Sequence, residues 1–240
     1  MKRCKGSLMK TIRCKIEKVT PFNDAVYQVW LKPDTPLEFQ AGQYLCVVMG
    51  EKDKRPFSIA SAPNAEVIEL HIGAAVSESY PMQVVERLRN NTHIDIEAPG
   101  GDAHLRHDSL RPRLLIAGGT GFSYIKSIVE QQIALGQQVE TTLYWGCRTQ
   151  DAMYYESIAR AWHDAHPWLH FVPVIEEAPA NWQGKTANLL AQIKQDFISL
   201  NGYDIYIAGR FDMVGAAREI FREMGVEEAH LYGDAFAFIK

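Results

Sequence analysis

Residues 114–129, LLIAGGTGFSYIKSIV, leave this chain little freedom. Leu114, Leu115 and Ile116 form a short apolar run. Gly118, Gly119, Thr120 and Gly121 follow at once, and Ile125, Ile128 and Val129 then recur at helical spacing. That order predicts a buried strand, a glycine turn and a helix. Glycine lets a backbone turn sharply and approach a ligand closely. A helix starting there presents unpaired N–H groups and the positive end of its dipole, which suits a pyrophosphate. The same residues would serve a tight β–α connection with no ligand. The spacing is neither G-x-G-x-x-G nor a P-loop, since no Gly-Lys-Ser/Thr follows.

The pattern around this stretch extends it. From Arg111-Pro112 onward, strand signals at Leu114–Ala117, Thr141–Trp145, His170–Ile175, Asp204–Ala208 and His230–Tyr232 alternate with helix signals. Those helices are expected from about Gly121, over 152–164, over 186–198 and over 212–224. Five strands with four intervening helices read as a doubly wound, parallel five-stranded α/β sheet over 111–240. Ligands bind such sheets at the carboxyl ends of the strands. Trp145-Gly146-Cys147-Arg148 and Ala208-Gly209-Arg210-Phe211 place two more glycine turns at corresponding strand ends, which favours a ligand site over chance.

Residues 11–110 read differently. Ile12, Cys14, Ile16 and Val19 are set among Arg13, Lys15 and Lys18 in a half-buried strand, and Val26–Leu31 and Tyr44–Met49 are similar. RPFSIAS at 55–61, Val67–Ile72 ending at Gly73, and His93–Glu97 before Pro99-Gly100-Gly101 add three more strands. Residues 82–90 form a short amphipathic helix. Short strands with one helix fit a six-stranded antiparallel β-barrel. Residues 1–10, MKRCKGSLMK, are basic without an apolar core and read as a flexible tail, with Met9 as an alternative start.

Composition excludes several classes. Hydrophobic residues are 47% and charged residues 22%, ordinary for a globular protein, and the net charge of −4 gives no basis for nucleic-acid binding. Cys4, Cys14, Cys46 and Cys147 form no C-x-x-C pair, which argues against zinc and iron–sulfur sites and suits a reducing cytoplasm. His163, His166 and His170 lack a carboxylate or thiol to complete a metal site, so no metal is expected. No apolar run approaches the roughly 20 residues of a membrane span.

Four stretches then become familiar. They are Arg55-Pro56-Phe57-Ser58-Ile59-Ala60-Ser61, Gly118-Gly119-Thr120-Gly121, Ala208-Gly209-Arg210-Phe211-Asp212-Met213 and Gly233-Asp234-Ala235-Phe236-Ala237-Phe238. The first resembles the R-x-Y-S-x-x-S/T flavin motif of the ferredoxin–NADP reductase superfamily. The second resembles that superfamily's pyrophosphate loop, and the third its C/A-G-x-x-x-M motif. From about residue 11 onward the chain is similar to the short bacterial NAD(P)H-flavin reductases of that superfamily, and to the related luciferase-operon reductases.

The resemblance implies a flavin-binding barrel and an NAD(P)H-binding α/β domain. Ser58 is the implied catalytic residue, its hydroxyl facing flavin N5; otherwise it is a strand-end serine. Arg55 would offer charge to the flavin, or else form a salt bridge. Pro56, Phe57 and Ile59 would shape the barrel wall. His71, Ile72 and Gly73 would border the isoalloxazine, although a lone strand histidine is more often structural. Thr120 would sit between pyrophosphate and nicotinamide, near the flavin. Gly118, Gly119, Gly121 and Phe122 would complete the loop, and Arg148, Gly209, Arg210 and Phe211 would meet the adenosine side. Phe236 would lie by the flavin ring, or else pack in the core.

Departures from the family pattern matter as much. Phe57 lacks the hydroxyl of the usual tyrosine, Ala74-Ala75-Val76 replaces a Cys/Ser/Thr-rich turn, and no adenosine-clamping insertion is visible. Ala208 replaces a cysteine. The expected activity is therefore reduction of FMN, FAD or riboflavin, bound as substrate, by NADH or NADPH. Reduced flavin would pass to a luciferase, a monooxygenase or ferric iron. The alternative is an electron-transfer reductase with tightly held FAD and a protein acceptor.

Overall fold

A computed structural model describes residues 9–76 and 79–239. Most of the expected tail, with Cys4, lies outside the described residues, and Lys10 already belongs to the first strand. The chain forms two units. One comprises the residues up to Leu105 together with Lys126–Gln131. The other comprises Arg106–Ile125 and the residues from Gln132 onward.

The first unit contains β1 (Lys10–Pro21), β2 (Val26–Pro33), β3 (Tyr44–Val48), β4 (Lys54–Ser58), β5 (Ile68–Gly73), α1 (Tyr80–Arg89) and β6 (His93–Gly100). Their order in the sheet is β4-β3-β6-β1-β2-β5. Every neighbouring pair is antiparallel, and a bridge between Ile59 and Leu70 joins the two ends, so the six-stranded antiparallel barrel is as expected. Alternation explains the strands: β6 buries Ile94, Ile96, Ala98 and Gly100 and leaves the residues between them half-buried. In β1 the apolar spacing jumps from Ile16 to Val19 because the pairing with β2 shifts register between Ile16 and Lys18, a bulge that changes the strand's facing. Helix α1 starts two residues earlier than its periodicity suggests. The Ser79 side chain accepts the Met82 N–H at 3.3 Å, and Pro81 fits the first turn.

The second unit contains β7 (Arg113–Gly118), both ends of α2 (Phe122–Ala134), whose middle stretch Lys126–Gln131 belongs to the first unit, β8 (Thr141–Cys147), α3 (Glu156–Ala165), β9 (Leu169–Ile175), β10 (Lys185–Thr186), α4 (Leu189–Asp196), β11 (Asp204–Ala208), α5 (Phe211–Glu223) and β12 (Leu231–Tyr232). The sheet is parallel throughout, in the order β10-β9-β8-β7-β11-β12. It has six strands where the sequence pattern predicts five. The addition, β10, is an edge strand of two exposed residues paired with Val174 and Ile175, too short to leave a periodic signal. It also displaces the start of α4, which Asn188 caps by accepting from the N–H groups of Leu190 and Ala191.

Strand β7 lies between β8 and β11, where the connections turn from one side of the sheet to the other. Leu114, Leu115, Ile116 and Ala117 are fully buried, as a central parallel strand covered on both faces requires. The glycine turn therefore stands at the topological switch point of the sheet.

Candidate functional site

The glycines that follow β7 serve separate purposes. Gly119 has φ +54°, a left-handed conformation costly for any residue with a side chain, yet a Cβ there would meet nothing within 4 Å. Its demand is conformational, and the space beside it is open. At Gly121 the reason is steric, since a Cβ would run into the carbonyl oxygen of Ala208 on β11. Gly118 and Gly209, at the ends of adjacent strands, leave room for Met213: a Cβ would stand 2.7 Å from its Sδ at Gly118 and 2.5 Å from its Cε at Gly209. The turn is pinned by Trp145, whose Nε1–H donates to the Gly119 carbonyl at 2.9 Å, and by the Ser123 hydroxyl, which donates to the Thr120 carbonyl at 3.0 Å. The Phe122 ring stacks on Trp145, with centroids 3.8 Å apart, and is fully buried. Of Phe122, only the backbone is left to meet a ligand.

The other strand ends differ in kind. Gly146 lets Leu189 of α4 pack against β8. Arg148 extends into solvent and donates from Nε to Glu177 at 2.7 Å. Arg210 is exposed and 3.5 Å from Asp212. Phe211 is 60% exposed and lies edge-on to Phe238, itself 71% exposed. Phe236 packs against the core of this unit, with the Arg218 guanidinium 5.8 Å from its ring centre. The exposed aromatic of the C-terminal segment is thus Phe238, two residues beyond the one the sequence reading names.

In the barrel unit, β4 carries Arg55 through Ser58, with Ser58 opposite Tyr44 and Phe57 opposite Leu45. Phe57 packs against the barrel core, and Ile59 is fully buried. The buried Arg55 is heavily engaged. Nε and Nη2 fork onto the Asp53 carboxylate at 2.9 and 2.7 Å, Nη1 donates to the Tyr80 carbonyl at 2.6 Å, and Nη2 also reaches Gln83. Its guanidinium lies 4.0 Å from the centre of the Tyr80 ring. The residue ties β4 to the first turn of α1.

Strand β5 shows why alternation does not always mean a wet face. Ile68, Leu70 and Ile72 line the barrel core, while Glu69 and His71 point the other way and are buried too. The Glu69 carboxylate accepts from Gln28 at 2.6 Å, faces His71 Nε2 at 2.9 Å and meets Lys126 Nζ at 2.7 Å. Lys126 also pairs with Glu130 at 2.8 Å. Burial alone would raise the Glu69 pKa, but the His71 hydrogen bond and the Lys126 charge pull it down to about 2. Burial lowers the His71 pKa and favours the neutral ring, against the pull of Glu69. Lys126 is held above its usual range because Glu69 and Glu130 outweigh its burial.

Known proteins agree with this arrangement. The family described as oxidoreductase NAD-binding domain matches residues 115–219. An NAD(P)H-flavin reductase of Vibrio harveyi is 50% identical over 95% of this chain and 100% of its own length, and one of Aliivibrio fischeri is 48% identical over 95% and 99%. The chain belongs to the NAD(P)H-flavin reductase family.

Among solved structures, a cytochrome P450 reductase of Amycolatopsis aligns over 94% of this flavin reductase and 69% of that chain, with TM-score 0.82 and 23% identity. A ferredoxin–NADP⁺ reductase of Neisseria gonorrhoeae aligns over 91% and 94%, with TM-score 0.77 and 18% identity. The likeness to both is one of fold.

Within the reductase, the fold brings Gly118, Gly119, Thr120 and Gly121 beside Gly209 at the switch point, as their strand-end positions suggest. It turns the side chains of Phe122 and His71 inward. Lys126 and Glu69 are absent from the sequence reading. A lysine in a helix and a glutamate in an alternating strand look like solvent-facing residues until the pairing buries them. Among the described residues, no three His, Cys, Asp or Glu side chains come together to hold a metal, and no helix is long and apolar enough to cross a membrane.

Proposed function

We propose that this enzyme transfers a hydride from NADH or NADPH to a flavin that enters and leaves as a substrate. The observation that carries the reading is the full-length, 50% identity to an NAD(P)H-flavin reductase. The open, left-handed glycine turn at a helix start supports it, because such a turn offers a pyrophosphate backbone N–H groups with no side chain in the way. The dihydronicotinamide supplies the hydride and flavin N5 receives it, so the protein must align the rings and do little acid–base work.

Each residue's part follows from its chemistry. Gly118, Gly119, Thr120 and Gly121, with the Phe122 backbone, hold the pyrophosphate. Arg148, Gly209, Arg210 and Phe211 serve the adenosine side. Ser58 directs its hydroxyl to N5 and steadies the charge and proton that develop there. Pro56, Phe57, Ile59 and the backbone of His71, Ile72 and Gly73 shape the flavin wall. Arg55, committed to Asp53 and the start of α1, contributes its charge and holds that wall in place. Phe236 lies by the flavin ring, where nicotinamide displaces it.

The tail of the flavin finds little to hold it. The Ala74 N–H, first after Gly73, already donates to the Ala25 carbonyl at 2.7 Å, and Phe57 has no hydroxyl for the ribityl chain. Binding of the ring alone gives micromolar affinity, about −8 kcal/mol against about −12 for a nanomolar site. Riboflavin therefore serves nearly as well as FMN or FAD. The reduced flavin leaves for a user such as a luciferase, a monooxygenase component or ferric iron. NADH oxidation with and without riboflavin, beside the absorbance spectrum of the purified protein, tests this. Colourless protein with flavin-dependent oxidation is expected. Yellow protein, with FAD bound about a hundredfold tighter than riboflavin, overturns it in favour of a tightly held FAD and a protein acceptor.

A further inference from the structure

The barrel unit holds a buried charge cluster that hydride transfer itself does not use. The side chains of Glu69 and Lys126 are 2% and 4% exposed, with Nζ and Oε2 2.7 Å apart. The pair stands against the end of the Arg55–Ser61 segment. The Lys126 ammonium also reaches the Ala60 carbonyl at 3.4 Å, and the neighbouring Ser127 hydroxyl donates to the Ser61 carbonyl at 2.8 Å. From the barrel side, the Ala60 N–H donates to the Glu69 carbonyl at 2.8 Å, and the Ser61 hydroxyl accepts the Glu69 N–H at 3.1 Å. The backbone two and three residues beyond Ser58 is thus gripped by β5 on one side and by the middle turn of α2 on the other.

Desolvating two opposite charges is costly, and an apolar pair of similar volume often leaves a protein as stable or more so. What an apolar pair lacks is direction: hydrogen-bonded charges admit one geometry where packed methylenes admit several. Gln28, His71 and Glu130 complete the partners of this pair, so its orientation is determined from every side. We infer that Lys126 and Glu69 are positioning residues for flavin reduction, clamping Ala60 and Ser61 so that the Ser58 hydroxyl keeps its direction. This rests on the role of Ser58 in the proposed function.

The test is the double variant Glu69→Leu/Lys126→Met, which fills the space without charge. It should melt at or above the temperature of the parent. Its limiting rate of riboflavin reduction, by stopped flow, should fall about tenfold while riboflavin affinity changes less than about threefold. Ser58→Ala should cost less than about threefold in the double variant though it costs tenfold or more in the parent, because both changes remove the same alignment. Amide exchange at Ile59–Ser61, measured without flavin, should quicken about tenfold. Should the double variant fail to fold, Glu69→Gln keeps the shape without the charge and carries the same expectations for rate, coupling and exchange, at a lower melting temperature because the buried Lys126 then keeps only Glu130. An unchanged rate, or an equal cost of Ser58→Ala in both backgrounds, overturns the inference, as does unchanged exchange. A parent that cannot reduce riboflavin sinks the proposed function instead, and the exchange measurement still decides whether the pair holds the segment.

Discussion

The turn after β7 and the segment after β4 are both held tightly, by opposite means. The glycine turn is held by what is missing. Gly121 has no side chain to strike β11, Gly118 and Gly209 leave room for Met213, and neutral hydrogen bonds from Trp145 and Ser123 complete the frame. The exit of Arg55–Ser61 is held by charge, through the buried Glu69 and Lys126. Steric frames fail when atoms are added and ignore pH. Ionic frames fail when charge is removed and answer to pH. The comparison also suits the two proposed roles, since a substrate pyrophosphate needs open space, whereas a hydroxyl meant for one atom needs a fixed direction.

Gly121→Val should do the most damage. A branched side chain against the Ala208 carbonyl must push α2 away from β11, at a cost of about 3 kcal/mol or more. Thermal unfolding reads the loss, and a variant as stable as the parent would show that the turn has slack. Ser58→Ala should come next, with a loss of about ten- to a hundredfold, or about 1.4–2.7 kcal/mol, in the rate constant for flavin reduction. Flavin binding should hardly change, because a bond used mainly in the transition state acts on rate rather than affinity. Stopped-flow traces beside fluorescence titration separate the two, and equal losses in both would cancel the assigned role.

Gly119→Val tests the open side of the turn. The space is free but the left-handed angle is not, so strain of about 1–2 kcal/mol joins the obstruction of the pyrophosphate. The KM for NADH should rise about tenfold while circular dichroism stays native. An unchanged KM would mean that the turn only connects β7 to α2.

The ionic frame should give the mildest effect, visible in acid. Glu69 is held at about 2 in the fold against 4.5 ordinarily, so the unfolded chain takes up its proton first. Its contribution is present above pH 4.5 and is lost as pH falls from there toward about 2. His71, kept neutral by burial, adds a loss that starts below pH 6.5. Glu130, raised by burial, offsets part of this, and the raised Lys126 matters only above pH 10.5. Melting temperature against pH for the parent and for Glu69→Leu/Lys126→Met should diverge below pH 4.5. Parallel curves would locate the acid sensitivity elsewhere.

Local chemistry was legible in the residues themselves. Apolar period two in β6, the glycines after β7, and alternating strands and helices beyond Arg111 all act within a few residues, so the barrel, the parallel sheet and the glycine turn could be read off directly, while the strand order put that turn at the switch point. Even the odd spacing from Ile16 to Val19 was in plain view, although only the pairing with β2 shows it to be a bulge. Tertiary structure decided the rest, where a residue's meaning depends on a distant partner. Lys126 meets Glu69 across 57 positions of chain, Lys185–Thr186 is a strand only because Val174 and Ile175 lie beside it, and Phe122 faces Trp145 rather than a ligand. Burial and charge pairing belong to the folded environment of a side chain, and periodicity along the chain carries no record of which distant group will supply it.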